Sequence, residues 1–288
     1  MISLDGKKLS EKIQKNLISE VEELKKDGIV PKLAVIVVGD DQASEVYVRN
    51  KHRTAKKIGI ETIDIHFPSN TTEGYLLNKI NELNYDNSVN AILVQLPLPK
   101  HIDESTIMNA ISPVKDVDGF NSNNLGKLFA NENSQTFEKN YSVPCTPAGI
   151  ISLLDEYKIS LAGKHVVIVG RSKIVGRPLS ALMLNRDATV TVAHSKTKNL
   201  KEITSSADIL VSAVGKSNFI SADDVKPNAI VIDVGINRVD GKLVGDVSQN
   251  VRDVASYLTP VPGGVGPMTI ASLMQQTVKL AKIQKYKF

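Results

Sequence analysis

The sequence predicts an α/β protein of two domains, each a parallel sheet flanked by helices. Short apolar runs alternate with segments of helical periodicity along the whole chain, the pattern of βα units. One stretch, from Asp116 to about Tyr141, is rich in Asn, Ser, Gly and Lys and reads as a loop between domains. Hydrophobic residues make up 42% of the chain but aromatics only 5%, with no Trp, so the core rests on Val, Ile, Leu and Ala, as buried parallel strands do. A length of 288 residues suffices for two such domains.

In order, Leu9, Ile13, Leu17, Val21 and Leu24 recur at helical spacing, and Gly28 follows as a stop signal. Leu33–Val38 is a continuous apolar run and reads as a buried strand. A helix over about Gln42–Ile58, a strand Thr62–Phe67, a helix near Thr72–Leu83 and a strand Val89–Gln95 complete the first alternating set. Pro144 and Pro147 open a helix carrying Ile150, Ile151, Leu153 and Leu154. Strands follow at His165–Val169, Thr189–Ala193, Ile209–Val214 and Ile230–Val234, with a helix after Pro178. Ile270–Ile283 is a last helix, long enough to return to the first domain. The expected division is 1–142, 143–268, and a C-terminal helix, 269–288, packed back on the first domain.

Bulk chemistry narrows the function. A single cysteine, Cys145, permits no internal disulfide and fits a reducing compartment. Residues Met1–Val30 are dense in Lys and Glu and lack the apolar centre of a secretory signal. No apolar run approaches the ~20 residues that span a bilayer. A net charge of +4, spread along the chain, offers no clustered basic face for nucleic acid. These features predict a soluble protein without a membrane or nucleic-acid partner.

Strand His165–Val169 runs into Gly170-Arg171-Ser172-Lys173-Ile174-Val175-Gly176-Arg177-Pro178 and then a helix. Such a turn aims backbone N–H groups and a helix N-terminus at a pyrophosphate. Ser172 stands where the usual second glycine would be, so on spacing alone the segment is equally well a plain βα turn. The end of the next strand, His194-Ser195-Lys196, has no carboxylate for the ribose hydroxyls of NAD. Arg171 and Ser195 can instead meet the extra phosphate of NADP, although Arg171 is also readable as a solvated loop cation.

Further candidates are scattered. Tyr47 and Lys51, four apart on a helix, share a face. Gln95 sits at the carboxyl end of a strand, where open α/β sheets bind ligands. Asp116-Val117-Asp118-Gly119 reads as a turn, and no His or further carboxylate stands at metal-ligand spacing. Pro262-Gly263-Gly264-Val265-Gly266-Pro267 would let a flat ligand approach the backbone, or serve as a stiff connector.

Taken together, Tyr47–Lys51, Val94–Pro99, Lys115–Phe120, Pro144–Pro147, Gly170–Pro178 and Thr259–Thr269 resemble the bifunctional methylenetetrahydrofolate dehydrogenase/cyclohydrolase family. Asn121 departs from the His that the family often carries after Gly-Phe. The resemblance implies a folate-binding catalytic domain and a Rossmann-like NADP-binding domain with a deep cleft between them. It implies oxidation of 5,10-methylenetetrahydrofolate by NADP, then hydrolysis of the methenyl product to 10-formyltetrahydrofolate.

It further implies that Lys51 moves the proton in hydrolysis, with a pKa lowered by desolvation or by a cation such as Arg49. Gln95 orients Lys51, Tyr47 stacks on the folate, and Asp118 pairs with the pterin. Val94, Leu96, Pro262, Gly263, Gly264 and Val265 line the substrate. Gly170, Arg171, Ser172 and Gly176 hold the phosphates, with Ser195 on the 2′ side and Ile236 near the adenine or nicotinamide half. No metal is expected. A homodimer through the second domain, a cytoplasmic location and a place in one-carbon metabolism and purine biosynthesis follow from the same resemblance, and Cys145 is only a small packed residue.

Two other readings compete: a shikimate-dehydrogenase-like NADP oxidoreductase, and a nucleotide-binding module without chemistry. The Tyr47–Lys51 spacing, Gln95-Leu96-Pro97 and the Pro262–Pro267 segment argue against the first. The retention of Lys51, Gln95 and Asp118 argues against the second. A fused formate–folate ligase is excluded by length and by the lack of a G-x-x-x-x-G-K-[ST] loop.

Overall fold

The computed structural model describes residues 1–40, 42–131 and 140–286, except the side chains of residues 42–47 and 286. In chain order the elements are β1 (Ile2–Ser3), α1 (Gly6–Lys26), β2 (Lys32–Val38), α2 (Gln42–Ile58), β3 (Glu61–Phe67), α3 (Glu73–Tyr85), β4 (Ala91–Val94), α4 (Glu104–Ala110), α5 (Ser122–Ala130) and α6 (Cys145–Glu156). There follow β5 (His165–Val169), α7 (Gly176–Leu184), β6 (Thr189–Ala193), α8 (Leu200–Thr204), β7 (Ile209–Ser212), β8 (Ile230–Asp233), β9 (Asn237–Val239), β10 (Lys242–Val244), β11 (Tyr257–Leu258) and α9 (Val265–Tyr286). The chain divides into two compact units: residues 1–11, 128–134 and 144–269 form one, and 12–127, 135–143 and 270–288 the other.

The unit containing β2 is built on a parallel sheet in the order β3-β2-β4. Central β2 is buried at every position from Leu33 to Val38, as its unbroken apolar run requires, whereas edge strand β3 is only partly covered. Ala34, Ile36 and Val94 pack with Leu76 and Ile80 of α3 and Ile107 of α4. Thr72 and Asp103 start these two helices, their side chains accepting from the N–H groups of Tyr75 and Thr106 at 3.3 and 2.7 Å. Truncating Leu76 or Ile80, both fully buried, to Ala should cost about 2–5 kcal/mol.

The other unit holds a six-stranded sheet in the order β1-β11-β8-β7-β5-β6, every neighbouring pair parallel. The chain steps from β5 to β6 on one side, then crosses to β7 on the other. That reversal at β5 is a topological switch point, the place where such sheets open a ligand crevice at their carboxyl ends.

Three departures from the sequence reading have local causes. Ile2–Ser3 pairs with Tyr257–Leu258, which groups the first eleven residues with the six-stranded sheet. The segment read as loop from Asp116 to Tyr141 contains helix α5: the Asn121 Oδ1 accepts from the N–H of Asn123 at 2.8 Å, and Leu128 is buried. Residues 132–139 of that segment lie outside the described residues. Helix α9 begins at Val265, so the second half of the Pro262–Pro267 segment is its first turn. No helix among the described residues is long and apolar enough to cross a membrane.

Candidate active site

In the β2 unit the chemistry gathers at the carboxyl end of the three-stranded sheet. The Gln95 N–H continues the ladder by donating to Ile36 O at 2.8 Å, so the side chain leaves where β4 ends. Helix α2, which follows β2, supplies Lys51. Its Nζ donates to the Gln95 Oε1 at 3.0 Å, and the residue is 7% exposed. The Gln95 Nε2 donates to Leu96 O at 2.7 Å, which fixes the amide with its oxygen toward the lysine. This neutral acceptor holds the amine without adding a counter-charge of its own that would lock it as an ammonium. Arg49, two residues earlier on α2, is exposed, while Val48 is buried. The side chain of Tyr47 lies outside the described residues. Val94 is buried in the apolar core, and Leu96 is partly exposed beside Gln95.

Asp118 is half-buried on a loop fastened at several points. The neighbouring Asp116 is almost completely buried; its Oδ2 accepts from the Asn121 N–H at 2.8 Å and the Asn124 Nδ2 at 2.9 Å. Burial pushes its carboxyl up to about 6 against these hydrogen bonds, and the charge of Asp118 pushes the same way. The Gln276 Nε2, on α9, donates to Val117 O at 3.0 Å and to Val143 O at 2.6 Å. Gly119, at φ +68°, completes the turn in a conformation that favours glycine. Asn121 also ends α4, its Nδ2 donating to Ile111 O at 3.0 Å and Asn109 O at 3.2 Å. Lys115 is structural: its Nζ donates to Leu83 O in the last turn of α3 and to Asp86 O at the cap that follows it.

In the six-stranded unit, Gly170 lies at the switch point. Its N–H donates to Ala193 O at 2.9 Å, and at φ +125° a Cβ would overlap the Ala213 carbonyl oxygen. A Cβ on Gly176 would overlap the Gly170 oxygen, so both glycines are required for the turn to fold on itself. Ser172 caps locally, its Oγ accepting from the Val175 N–H at 3.1 Å and the Gly176 N–H at 3.5 Å, at the start of α7. Arg171 and Ser172 are exposed at this turn, and Ser195 is exposed on a tight turn at the end of β6, where the Thr197 N–H donates to His194 O at 2.8 Å.

Ile236, just after β8, is 54% exposed. Of the Pro262–Val265 segment, Pro262 is exposed but Gly264 and Val265 are buried. A Cβ on Gly264 would press on Pro260 O and the Thr259 side chain, so this glycine serves packing; Gly263, at φ +109°, is the more open. Cys145 is buried at the start of α6. Among the described residues no group of three or more His, Cys, Asp or Glu could hold a metal.

Residues 4–118 match the family described as tetrahydrofolate dehydrogenase/cyclohydrolase, catalytic domain, and residues 144–285 match its NAD(P)-binding domain. The chain is 59% identical to a bifunctional FolD protein of Ligilactobacillus salivarius, over 97% of this chain and 96% of that one. The bifunctional FolD methylenetetrahydrofolate dehydrogenase/cyclohydrolase of Campylobacter jejuni superposes with a TM-score of 0.94 at 48% identity, covering 98% and 99%. The Trypanosoma brucei enzyme, solved with NADP cofactor and an inhibitor, gives 0.93 at 37% identity, covering 99% of each chain. A shikimate dehydrogenase from Aquifex aeolicus, at 11% identity and a TM-score of 0.51 over 88% and 97%, shares the fold alone.

Proposed function

Because this chain belongs to the tetrahydrofolate dehydrogenase/cyclohydrolase family, we propose particular roles for its residues in the two reactions of a bifunctional enzyme. The enzyme oxidises 5,10-methylenetetrahydrofolate to 5,10-methenyltetrahydrofolate with NADP and hydrolyses the product to 10-formyltetrahydrofolate. The observation that carries the residue assignment is the hydrogen bond from buried Lys51 to half-buried Gln95 at the carboxyl end of a parallel sheet.

The dinucleotide, when bound, accepts the hydride; the turn after β5 fits it, with its two obligatory glycines and exposed Arg171 and Ser172. Hydride transfer needs no acid or base from the protein, only alignment of the two rings. Hydrolysis does need a proton moved, and we assign that step to Lys51; its hydrogen bond to Gln95 supports the assignment. Asp118, half-exposed on its braced loop, accepts from the pterin N–H groups, and Tyr47 stacks on the folate. Leu96, the Val94 backbone and Pro262–Val265 line the substrate. Gly170, Arg171, Ser172 and Gly176 form the phosphate turn, Ser195 meets the 2′-phosphate, and Ile236 lies by the adenine or nicotinamide half.

The unit of residues 12–127 and 270–286 serves folate chemistry, and that of 1–11 and 144–269 serves the dinucleotide. A cytoplasmic homodimer supplying purine biosynthesis completes the reading; exposed Val239 and Leu243 on the β9–β10 hairpin offer apolar surface for the dimer. The test is absorbance at the methenyl band with methylenetetrahydrofolate and either NADP or NAD. A transient methenyl signal that decays to formyltetrahydrofolate, faster with NADP, supports the assignment; no signal with either cofactor overturns it.

A further inference from the structure

Two buried carboxylates at the end of β8 and just past β10 have no part in the roles above. The Asp246 side chain is fully buried and receives a ring of donors. Its Oδ2 accepts from the N–H of Val214 at 2.8 Å, the N–H of Gly215 at 3.2 Å and the Ser212 Oγ at 3.3 Å. Its Oδ1 accepts from the N–H of Lys216 at 2.9 Å and the Asn237 Nδ2 at 3.1 Å. Successive N–H groups that converge in this way form a nest for an anion, and here the chain's own carboxylate fills it.

Asp233 fastens the other side. Its Oδ1 accepts from the N–H groups of Gly235 and Asp246 at 3.0 and 2.8 Å, and its Oδ2 from that of Val247 at 3.0 Å. The fit leaves no spare room: a Cβ on Gly235 would overlap the Asp246 carboxylate, and a Cβ on Gly245 that of Asp233. The two aspartates thus set the backbone of the segments that follow β7 and β8, Val214–Lys216 and Gly235–Asn237.

The sheet order gives these segments a role. With the pyrophosphate turn after β5 and the 2′-phosphate partner Ser195 after β6, the adenosine half lies toward β6. The nicotinamide half then falls on the opposite side of β5, over the ends of β7 and β8. We propose that Asp246, braced by Asp233, is a positioning residue for the nicotinamide half of NADP, acting through the loops it holds rather than by touching the cofactor. This inference rests on the NADP reading above.

The test uses Asp246→Asn in the full chain. Either orientation of the amide turns an NH₂ toward at least two of the donors now facing the carboxylate, so the loops must shift. NADP, adenosine 2′,5′-bisphosphate (the adenosine half alone) and methenyltetrahydrofolate without dinucleotide serve as probes. Loss of one charge-assisted hydrogen bond predicts a rise of about ten-fold or more in the NADP Kd. The affinity of the adenosine fragment and the rate of cofactor-free hydrolysis should stay within two-fold of wild type, roughly the reach of indirect effects.

Unchanged NADP affinity overturns the inference, and so does a parallel loss of fragment affinity, which would mark a general collapse of the sheet end. If wild type itself binds neither NADP nor the fragment, it is the cofactor reading that fails. Asn237→Ala deletes one donor at the margin of the cluster and does not depend on Asp246→Asn folding. It should raise the NADP Kd by roughly two- to five-fold with the fragment unaffected; no change in NADP affinity overturns the proposal.

Discussion

The Lys51 Nζ donates to the Gln95 Oε1 at 3.0 Å, and Gln95 is itself held by the Leu96 carbonyl at 2.7 Å. Gln95 thus gives the amine one neutral acceptor whose own orientation is fixed, on a helix and a strand end that both belong to one sheet unit. Lys51→Met keeps length and apolar bulk but removes the amine. Hydrolysis of supplied methenyltetrahydrofolate should fall by ~10²–10⁴, the usual worth of general acid–base assistance. The dehydrogenase should fall less, and the methenyl intermediate should accumulate in single turnovers. Hydrolysis at the wild-type rate would remove Lys51 from the mechanism.

Gln95 should act through orientation. Gln95→Leu removes both the acceptor for Lys51 and the donor to Leu96. It should depress hydrolysis, while Gln95→Glu, which keeps an acceptor but adds a charge, should raise the pH at which hydrolysis becomes maximal. The sign follows from linkage: a carboxylate beside the amine favours its protonated form, so more alkaline solution is needed to free the base. A pH–rate profile of the Glu variant that overlays wild type would show that Gln95 does not set the state of Lys51.

Cofactor choice should reside on the turns after β5 and β6. Arg171 is an exposed cation on the first, Ser195 an exposed hydroxyl on the second, and the His194-Ser195-Lys196 end carries no carboxylate to repel a 2′-phosphate. Arg171→Ala should raise the NADP KM much more than the NAD KM, by about ten-fold for a charge-assisted contact. Equal changes in the two constants would mean that Arg171 does not read the phosphate.

Much of this was legible in the sequence because the relevant signals are local. Continuous apolar runs give β2, β4, β5 and β7, and Tyr47 to Lys51 is one helical turn. Gln95 is marked by its place at a strand end. The braces of the site are not local. Gln276 holds Val117 and Val143 from 159 and 133 residues away, and Asp246 grips the end of β7 and the turn after it across 30 to 34 residues. No periodicity or spacing announces such pairs. Helix α5 was hidden for another reason: its Asn- and Ser-rich start reads as loop until the Asn121 cap and the burial of Leu128 are seen together. Ser172, which the resemblance assigns to the phosphates, also caps the turn at α7.

Asp118 should serve the pterin and no metal. Asp118→Ala should weaken both reactions through the folate KM, while NADP affinity, measured by direct binding, stays near wild type. Treatment of wild type with excess EDTA should leave both activities unchanged. Activity lost to EDTA and restored by a divalent ion would reassign this carboxylate.

The stability of the protein should fall as pH rises through about 6, and Asp116 should account for part of the fall. Its carboxyl is raised from 3.8 to about 6 by burial, despite the donors Asn121 and Asn124. A raised carboxyl means that between pH 4 and 6 the folded chain holds a proton that the unfolded chain has lost. Stability contributed by this group is therefore greatest below pH 4 and declines as pH climbs through 6. With each pH unit worth ~1.4 kcal/mol, ionised Asp116 costs on the order of 3 kcal/mol at pH 7.5. Asp233, raised to about 6 chiefly by its own burial, adds to the same trend, so the comparison must be with a variant at one site. Asp116→Asn keeps one oxygen for Asn121 and Asn124 but carries no charge. The gap by which its Tm exceeds that of wild type should be small at pH 4.5 and widen to several degrees by pH 7.5. The measurement is thermal unfolding of both proteins at half-unit pH intervals. A Tm difference constant from pH 4.5 to 7.5 would show that Asp116 ionises at its ordinary value and that the loop carrying Asp118 tolerates the charge without penalty.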